Sequence, residues 1–215
     1  MRRWTTGAVL VLLAAGCAAP PRPQAESTPA PIGPRVEAIT AAARRSEHEP
    51  DAKIRAELAD DARRQAEACL ALEPQAAACL YGHALALGLE ARAHPAHAGE
   101  WLGQMLADLA AAEAADPGYD EAGPARVRAL VLTRAPGWPL GPGDSAAGVV
   151  AARRAVSLRP QYPPNLLTLA EALAKSGDAQ AARQAYQRAR EEALARPAAS
   201  EREEWLSEAN RALQH

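Results

Sequence analysis

The chain has 215 residues, a formal net charge of −2, no phenylalanine and 4% aromatic residues. A near-neutral balance gives no electrostatic reason to expect nucleic acid or an acidic surface as a partner, and the length suffices for one helical domain with a real core. Without phenylalanine that core has to be built from alanine, leucine and valine, so every tryptophan or tyrosine stands out.

At the start, Met1 to Cys17 carries Arg2 and Arg3, an apolar run from Ala8 to Ala15, and the sequence L-A-A-G-C. This resembles a bacterial lipoprotein signal peptide with its lipobox, so residues 1–16 are expected to be removed and Cys17 to carry acyl chains. The apolar run is too short for a permanent span, which needs ~20 residues. Several acyl chains hold a protein firmly, because each buried methylene contributes ~0.8 kcal/mol, and the membrane is then met through the lipid anchor only. Ala18 stands where an aspartate signals inner-membrane retention, and the resemblance therefore implies a periplasm-facing protein of the outer membrane. Residues 17–34 read as the lipidated cysteine and a tether with six prolines, extended at ~3.1 Å per residue.

Residues 35–215 read as helices throughout. The first two are Arg35 to Ser46 and Asp51 to Leu72, followed by Gln75 to Leu89, where Gly82 marks a close helix contact. Cys69 and Cys79 lie five residues on either side of Pro74. If the chain folds back at that proline, the two reach matching heights on adjacent helices and form a disulfide in an oxidising compartment; the other reading is two buried small hydrophobes. His94 and His97 flank Pro95, which breaks the helix that would align them, so a surface loop is expected there and no metal site. Glu100 to Ala115 returns to helix with a stripe of Trp101, Met105, Leu109 and Ala112, Trp101 keeping one edge exposed in its first turn.

Gly123-Pro124 opens the next helix, with Pro124 near its tolerated first position and Arg126, Leu130 and Arg134 on one face. Ala135 to Gly143 then inserts a rigid Gly/Pro loop around Trp138, which reads either as functional or as a plug between helices. Ser145 to Leu158, Asn165 to Ser176 and Asp178 to Ala195 follow, and Ser200 to Leu213 closes the chain with Trp205 on its docking side.

A repeat runs through this order. Alanine-rich runs end at Pro74, Pro117, Pro160 and Pro197, in steps of 43, 43 and 37 residues. Leu166 to Ala189 fits the tetratricopeptide (TPR) pattern, with Leu166 and Leu169 on one helix facing Ala182, Tyr186 and Ala189 on the next, although Ala170 replaces the usual glycine. The expected fold is all-α: a TPR-like α-helical repeat solenoid of about four helix pairs with a C-terminal capping helix.

Enzymatic motifs are missing: there is no G-x-S-x-G, H-E-x-x-H, Walker loop or dinucleotide fingerprint. The expectation is therefore a binding protein, not an enzyme, with no cofactor. The residues expected to converge on a concave face and meet a ligand or partner are Trp101, Tyr119, Arg126, Arg134, Trp138, Tyr162 and Asn165. Arginines among apolar walls suit an acidic head group.

The segments A-E-A-C-L-A-L-E-P with C-L-Y-G, D-P-G-Y-D-E-A-G-P-A-R, A-P-G-W-P…G-D and R-P-Q-Y-P-P-N-L-L-T-L-A-E-A-L-A-K-S-G-D resemble the TatT component associated with tripartite ATP-independent periplasmic (TRAP) transporters. The resemblance covers most of the mature chain; Ala122 and Ala129 depart from it where glycines are common. It implies a TPR-like lipoprotein that partners a TRAP substrate-binding protein, assembles as a homo-oligomer and takes a small hydrophobic or acidic ligand through a cleft or pore. The alternative is a generic TPR scaffold lipoprotein for protein–protein interaction in the bacterial envelope.

Overall fold

The computed structural model describes residues 32–214; the expected signal peptide, Cys17, most of the tether and His215 lie outside the described residues. Among the described residues nine α-helices follow one another: α1 (Gly33–His48), α2 (Ala52–Leu72), α3 (Ala77–Ala93), α4 (Ala98–Ala115), α5 (Tyr119–Arg134), α6 (Ser145–Leu158), α7 (Pro163–Lys175), α8 (Ala179–Leu194) and α9 (Arg202–Leu213), with a 3-10 turn at Pro95–His97. The only extended pairing among them is an isolated bridge between Gly137 and Gly143.

Local chemistry sets several of the helix starts. Asp51, Asp144 and Asp178 each accept a backbone N–H of the first turn, from Lys53 at 2.8 Å, Ala147 at 3.0 Å and Ala181 at 3.0 Å. Each satisfies a donor that the helix itself leaves without a partner. α1 begins at Gly33, inside the stretch expected to be tether, because Pro34 is tolerated in a first turn where its missing N–H costs nothing. α3 continues past the expected Leu89 to Ala93, since Glu90, Ala91 and Arg92 are good helix formers and nothing interrupts them before Pro95.

Alanine dominates the interior. Ala59, Ala62, Ala66, Ala84, Ala86, Ala125, Ala129, Ala151, Ala152 and Ala155 are all inaccessible to solvent. Side chains this small let the rods approach closely. A Cβ placed on Gly82 of α3 would lie 3.0 Å from Ile39 Cδ1 of α1, so this glycine sets how near those helices come. Cys69, near the end of α2, and Cys79, near the start of α3, are joined by a disulfide with their Cα atoms 5.3 Å apart.

The helices form two layers. α1 touches α3, α3 touches α5, α5 touches α7 and α7 touches α9, whereas α2, α4, α6 and α8 make no contact with one another. The odd-numbered helices therefore make one continuous layer, with the even-numbered ones lying outside it.

Candidate functional site

The site is organised by an unusual turn. After Gly118, three non-glycine residues in succession are left-handed: Asp120 at φ 47°, Glu121 at φ 54° and Ala122 at φ 65°. The right-handed part of α5 starts only at Gly123-Pro124. L-residues in this region cost roughly 1–2 kcal/mol each, so the turn persists only because its surroundings hold it.

Four side chains do so. Arg126 NH1 donates to the carbonyl oxygens of Asp120 (3.1 Å) and Glu121 (3.2 Å), and NH2 donates to Asp120 Oδ2 at 2.8 Å. Asn165, fully buried on α7, donates through Nδ2 to the carbonyls of Glu121 (3.0 Å), Ala155 (3.2 Å) and Arg159 (3.3 Å), and its Oδ1 accepts from Arg126 at 3.2 Å. Tyr81 on α3 donates its hydroxyl to Asp120 Oδ2 at 2.9 Å. Burial holds that phenol far above its ordinary pKa, so it remains a donor. Arg159 pairs with Glu121 at 3.2 Å. A Cβ on Gly123 would fall 2.7 Å from Asp120 Oδ2 and 2.9 Å from the Tyr81 hydroxyl, and only glycine fits there.

In this geometry Arg126 and Asn165 brace the turn. Arg126 stands over the Tyr162 ring, 5.3 Å from its centroid, and both terminal nitrogens of its guanidinium are already engaged. Those terminal nitrogens are committed to the turn and to Asn165. Asn165 has its amide nitrogen and oxygen bonded inside the protein. Tyr119 meets Tyr81 edge-on at 5.5 Å and Tyr162 meets Trp205 edge-on at 5.9 Å; both tyrosines frame the turn.

Two hollows adjoin this frame. The first, of about 320 Å³, is lined by Arg126, Leu130 and Arg134 of α5, Leu167, Thr168 and Glu171 of α7, Glu204, Trp205 and Glu208 of α9, and Glu47 near the end of α1. Arg134 forms a bidentate pair with Glu171, Nε to Oε1 at 2.7 Å and NH2 to Oε2 at 2.6 Å. With both arginines paired, the carboxylates of Glu47, Glu204 and Glu208 leave the hollow acidic, opposite to the expected basic lining. Burial raises the Glu208 carboxyl above the ordinary carboxylate range, with Glu171 adding repulsion and Arg134 opposing it.

The second hollow is a trough of about 570 Å³ between α3, α4 and α5, walled by Gly88, Ala91, Leu102, Met105, Val127, Leu130 and Val131, with the exposed Arg92 and Arg134 among its lining residues. Leu130 and Arg134 border both hollows. The i, i+4, i+8 spacing on α5 pointed to this pair. Trp205 and Glu208 carried no such signal as ligand residues, because α9 read as a capping helix, and neither did Glu171 on α7.

The other two tryptophans among the described residues, Trp101 and Trp138, stand apart from both hollows. Trp138 is 91% exposed and Leu140 78% exposed, so the Trp138 indole neither lines a cleft nor plugs a gap between helices. The loop closes on itself instead: Gly143 N–H donates to the Pro136 carbonyl at 2.9 Å and Asp144 N–H to the Leu132 carbonyl at 2.8 Å, which leaves the tip facing outward. Trp101 packs its half-buried ring between His94 and His97, each centroid at 5.8 Å, and lines neither hollow.

Among the described residues no three His, Cys, Asp or Glu side chains gather in a way that could hold a metal ion, and no helix is long and apolar enough to cross a membrane. No protein-family model and no curated protein matches the chain.

Proposed function

We propose that this chain is a lipid-anchored envelope protein of the TPR-like kind, resembling the TatT component of TRAP transporters, which binds a small hydrophobic ligand and a TRAP substrate-binding protein and assembles with further copies of itself. The observation that carries the ligand part is the trough of about 570 Å³ between α3, α4 and α5. Its wall is apolar, and Gly88 and Ala91 keep one side open where larger side chains would fill it. An apolar hollow with a few polar groups at its edge is the usual form of a small-molecule site. Arg92 makes no salt bridge to a described residue and suits an acidic group on such a ligand. The alternation of inner and outer helices, together with the alanine-rich periodicity, supports the repeat assignment.

The test is native mass spectrometry of protein purified from its own host envelope. A bound apolar species lost on Leu102→Trp, which fills the trough, supports the reading; protein that is empty in both forms rejects the ligand part. Capture of a TRAP substrate-binding protein from the same host tests the partner part separately.

A second reading, a scaffold for envelope protein assembly, draws support from the projecting Trp138 and Leu140. Side chains this apolar and this exposed fit a protein partner better than a small ligand.

A further inference from the structure

The loop between α5 and α6 carries an apolar knob. Trp138 and Leu140, 91% and 78% exposed, are the two most exposed large apolar side chains among the described residues, and no charged residue stands between Ala135 and Gly143. The tip is also stiff. Pro136, Pro139 and Pro142 each fix a backbone angle, the Gly137 carbonyl accepts from Leu140 N–H at 3.0 Å and from Gly141 N–H at 3.3 Å, and the Pro136 carbonyl accepts from Gly143 N–H at 2.9 Å. A knob already held in shape loses little freedom when it is buried, and tryptophan is among the side chains most enriched as interface anchors.

A socket lies beside the knob. Ala98 and Leu102 of α4 line both the apolar trough and a smaller hollow that Pro136 and Leu140 border, and a Cβ on Gly99 would meet the Leu140 carbonyl at 3.6 Å. The trough, about 570 Å³, has room for an indole. Knob and socket on one surface is what two copies related by a two-fold axis require, because each offers the other the same patch.

The location of this patch bears on what can cover it. Glu47, near the end of α1, shares a hollow with Arg134, the last residue of α5, so the end of α1 lies near the loop. Gly33, where the chain enters α1 from the expected tether, is therefore at the opposite end, ~24 Å away for a helix of 16 residues. A surface remote from the anchor favours a second protein molecule over the membrane as its occupant.

We propose that two copies of this chain pair by reciprocal insertion, Trp138 and Leu140 of each entering the apolar trough of the other. A tryptophan buries ~150–250 Å². With Leu140 and the wall it covers, one insertion hides roughly 600 Å², within the range of incidental contacts, whereas two hide roughly 1,200 Å², where stable interfaces begin. Reciprocity is thus what makes the contact hold. Pairing rests on the open apolar trough of the reading above and adds regulation to it: a neighbour's indole and a small ligand compete for one space.

The experiment places p-benzoylphenylalanine at position 138 of the full-length chain and irradiates the intact envelope of a host bacterium. The expected product is a cross-linked pair of copies whose bridge maps to the trough wall at Leu102, Met105 or Leu130. Its yield should fall at least tenfold with Leu102→Trp, which fills the socket, and with Leu140→Ser, and stay unchanged with Val150→Ser on the exposed side of α6. Circular dichroism melting confirms that each variant folds. Native mass spectrometry of the protein should show a two-copy species that Trp138→Ala, a surface change outside the trough, removes while leaving the trough able to hold its ligand, so loss of pairing and loss of ligand are read separately. A bridge to phospholipid or to a different protein overturns the pairing, and so does a two-copy species that survives Trp138→Ala.

Discussion

Arg126 donates to the side-chain oxygen of Asn165 at 3.2 Å while the nitrogen of the same amide donates to the Glu121 carbonyl at 3.0 Å, so one buried amide joins α5, α7 and a left-handed turn. Truncating Asn165 to alanine leaves several buried polar groups without partners, each worth ~1–3 kcal/mol. Asn165→Ala should lower unfolding free energy by about 3 kcal/mol, and Tyr81→Phe, which removes one hydrogen bond to Asp120, by about 1 kcal/mol. Urea denaturation followed by far-ultraviolet circular dichroism measures both, and equal costs for the two variants would count against this picture.

Ala122 tests the turn itself. Replacing it with glycine relieves a left-handed φ of 65°, about 1 kcal/mol, and removes a fully buried methyl, about 0.8 kcal/mol. The two nearly cancel, and Ala122→Gly should remain within about 0.5 kcal/mol of the parent protein. Ala122→Val adds branching to a left-handed, solvent-inaccessible residue and should cost about 3 kcal/mol. A valine variant as stable as the glycine variant would mean that the backbone there is not left-handed in solution.

Glu208 gives a pH dependence whose sign follows from its raised carboxyl. The folded protein binds this proton more tightly than the unfolded chain does. The resulting stability is fully present below the ordinary carboxylate value of about 4.3 and is lost as pH rises through the higher folded-state value. Glu208→Gln should match the parent near pH 4 and be the more stable of the two at pH 7. Denaturation midpoints at both values decide it; a variant that is less stable at pH 7 reverses the assignment.

The disulfide closes a short loop, since Cys69 and Cys79 are separated by 10 positions. Restricting the unfolded chain in this way contributes about 3 kcal/mol in the loop-entropy account. Reduction under native conditions should therefore lower the thermal midpoint by several degrees, as differential scanning calorimetry would register.

Trp138 should behave differently from every residue above. At 91% exposure it contributes nothing to the core, and Trp138→Ala should leave the unfolding free energy unchanged within about 0.5 kcal/mol. If the scaffold reading is correct, the same substitution abolishes capture of the protein partner.

Much of the fold was legible in the sequence because helices advertise themselves through local chemistry. Asp51, Asp144 and Asp178 cap helices, and alanine stripes recur with helical spacing; neither needs knowledge of distant contacts. The site was less legible for a physical reason. Arg126 and Asn165 stood out as polar residues near apolar ones, which is equally the mark of a ligand residue and of a brace. Only the positions of the Asp120 and Glu121 carbonyls, created by a left-handed turn that no glycine announces at residues 120–122, decide for the brace. For Trp138 the sequence marks a conspicuous aromatic without saying which way it points, and the fold turns it outward. Glu47 and Glu208, 161 positions apart in the chain, share a hollow that only the full winding of the inner layer brings together.

The outer helices never touch each other, and this bears on how the molecule deforms. Each of α4 and α6 nevertheless wedges between two inner neighbours, α3 and α5 for the first, α5 and α7 for the second, so the curvature of the arc is set by those wedges. A bulkier side chain in either wedge would spread the inner rods on both sides of it and shift α1 relative to α9.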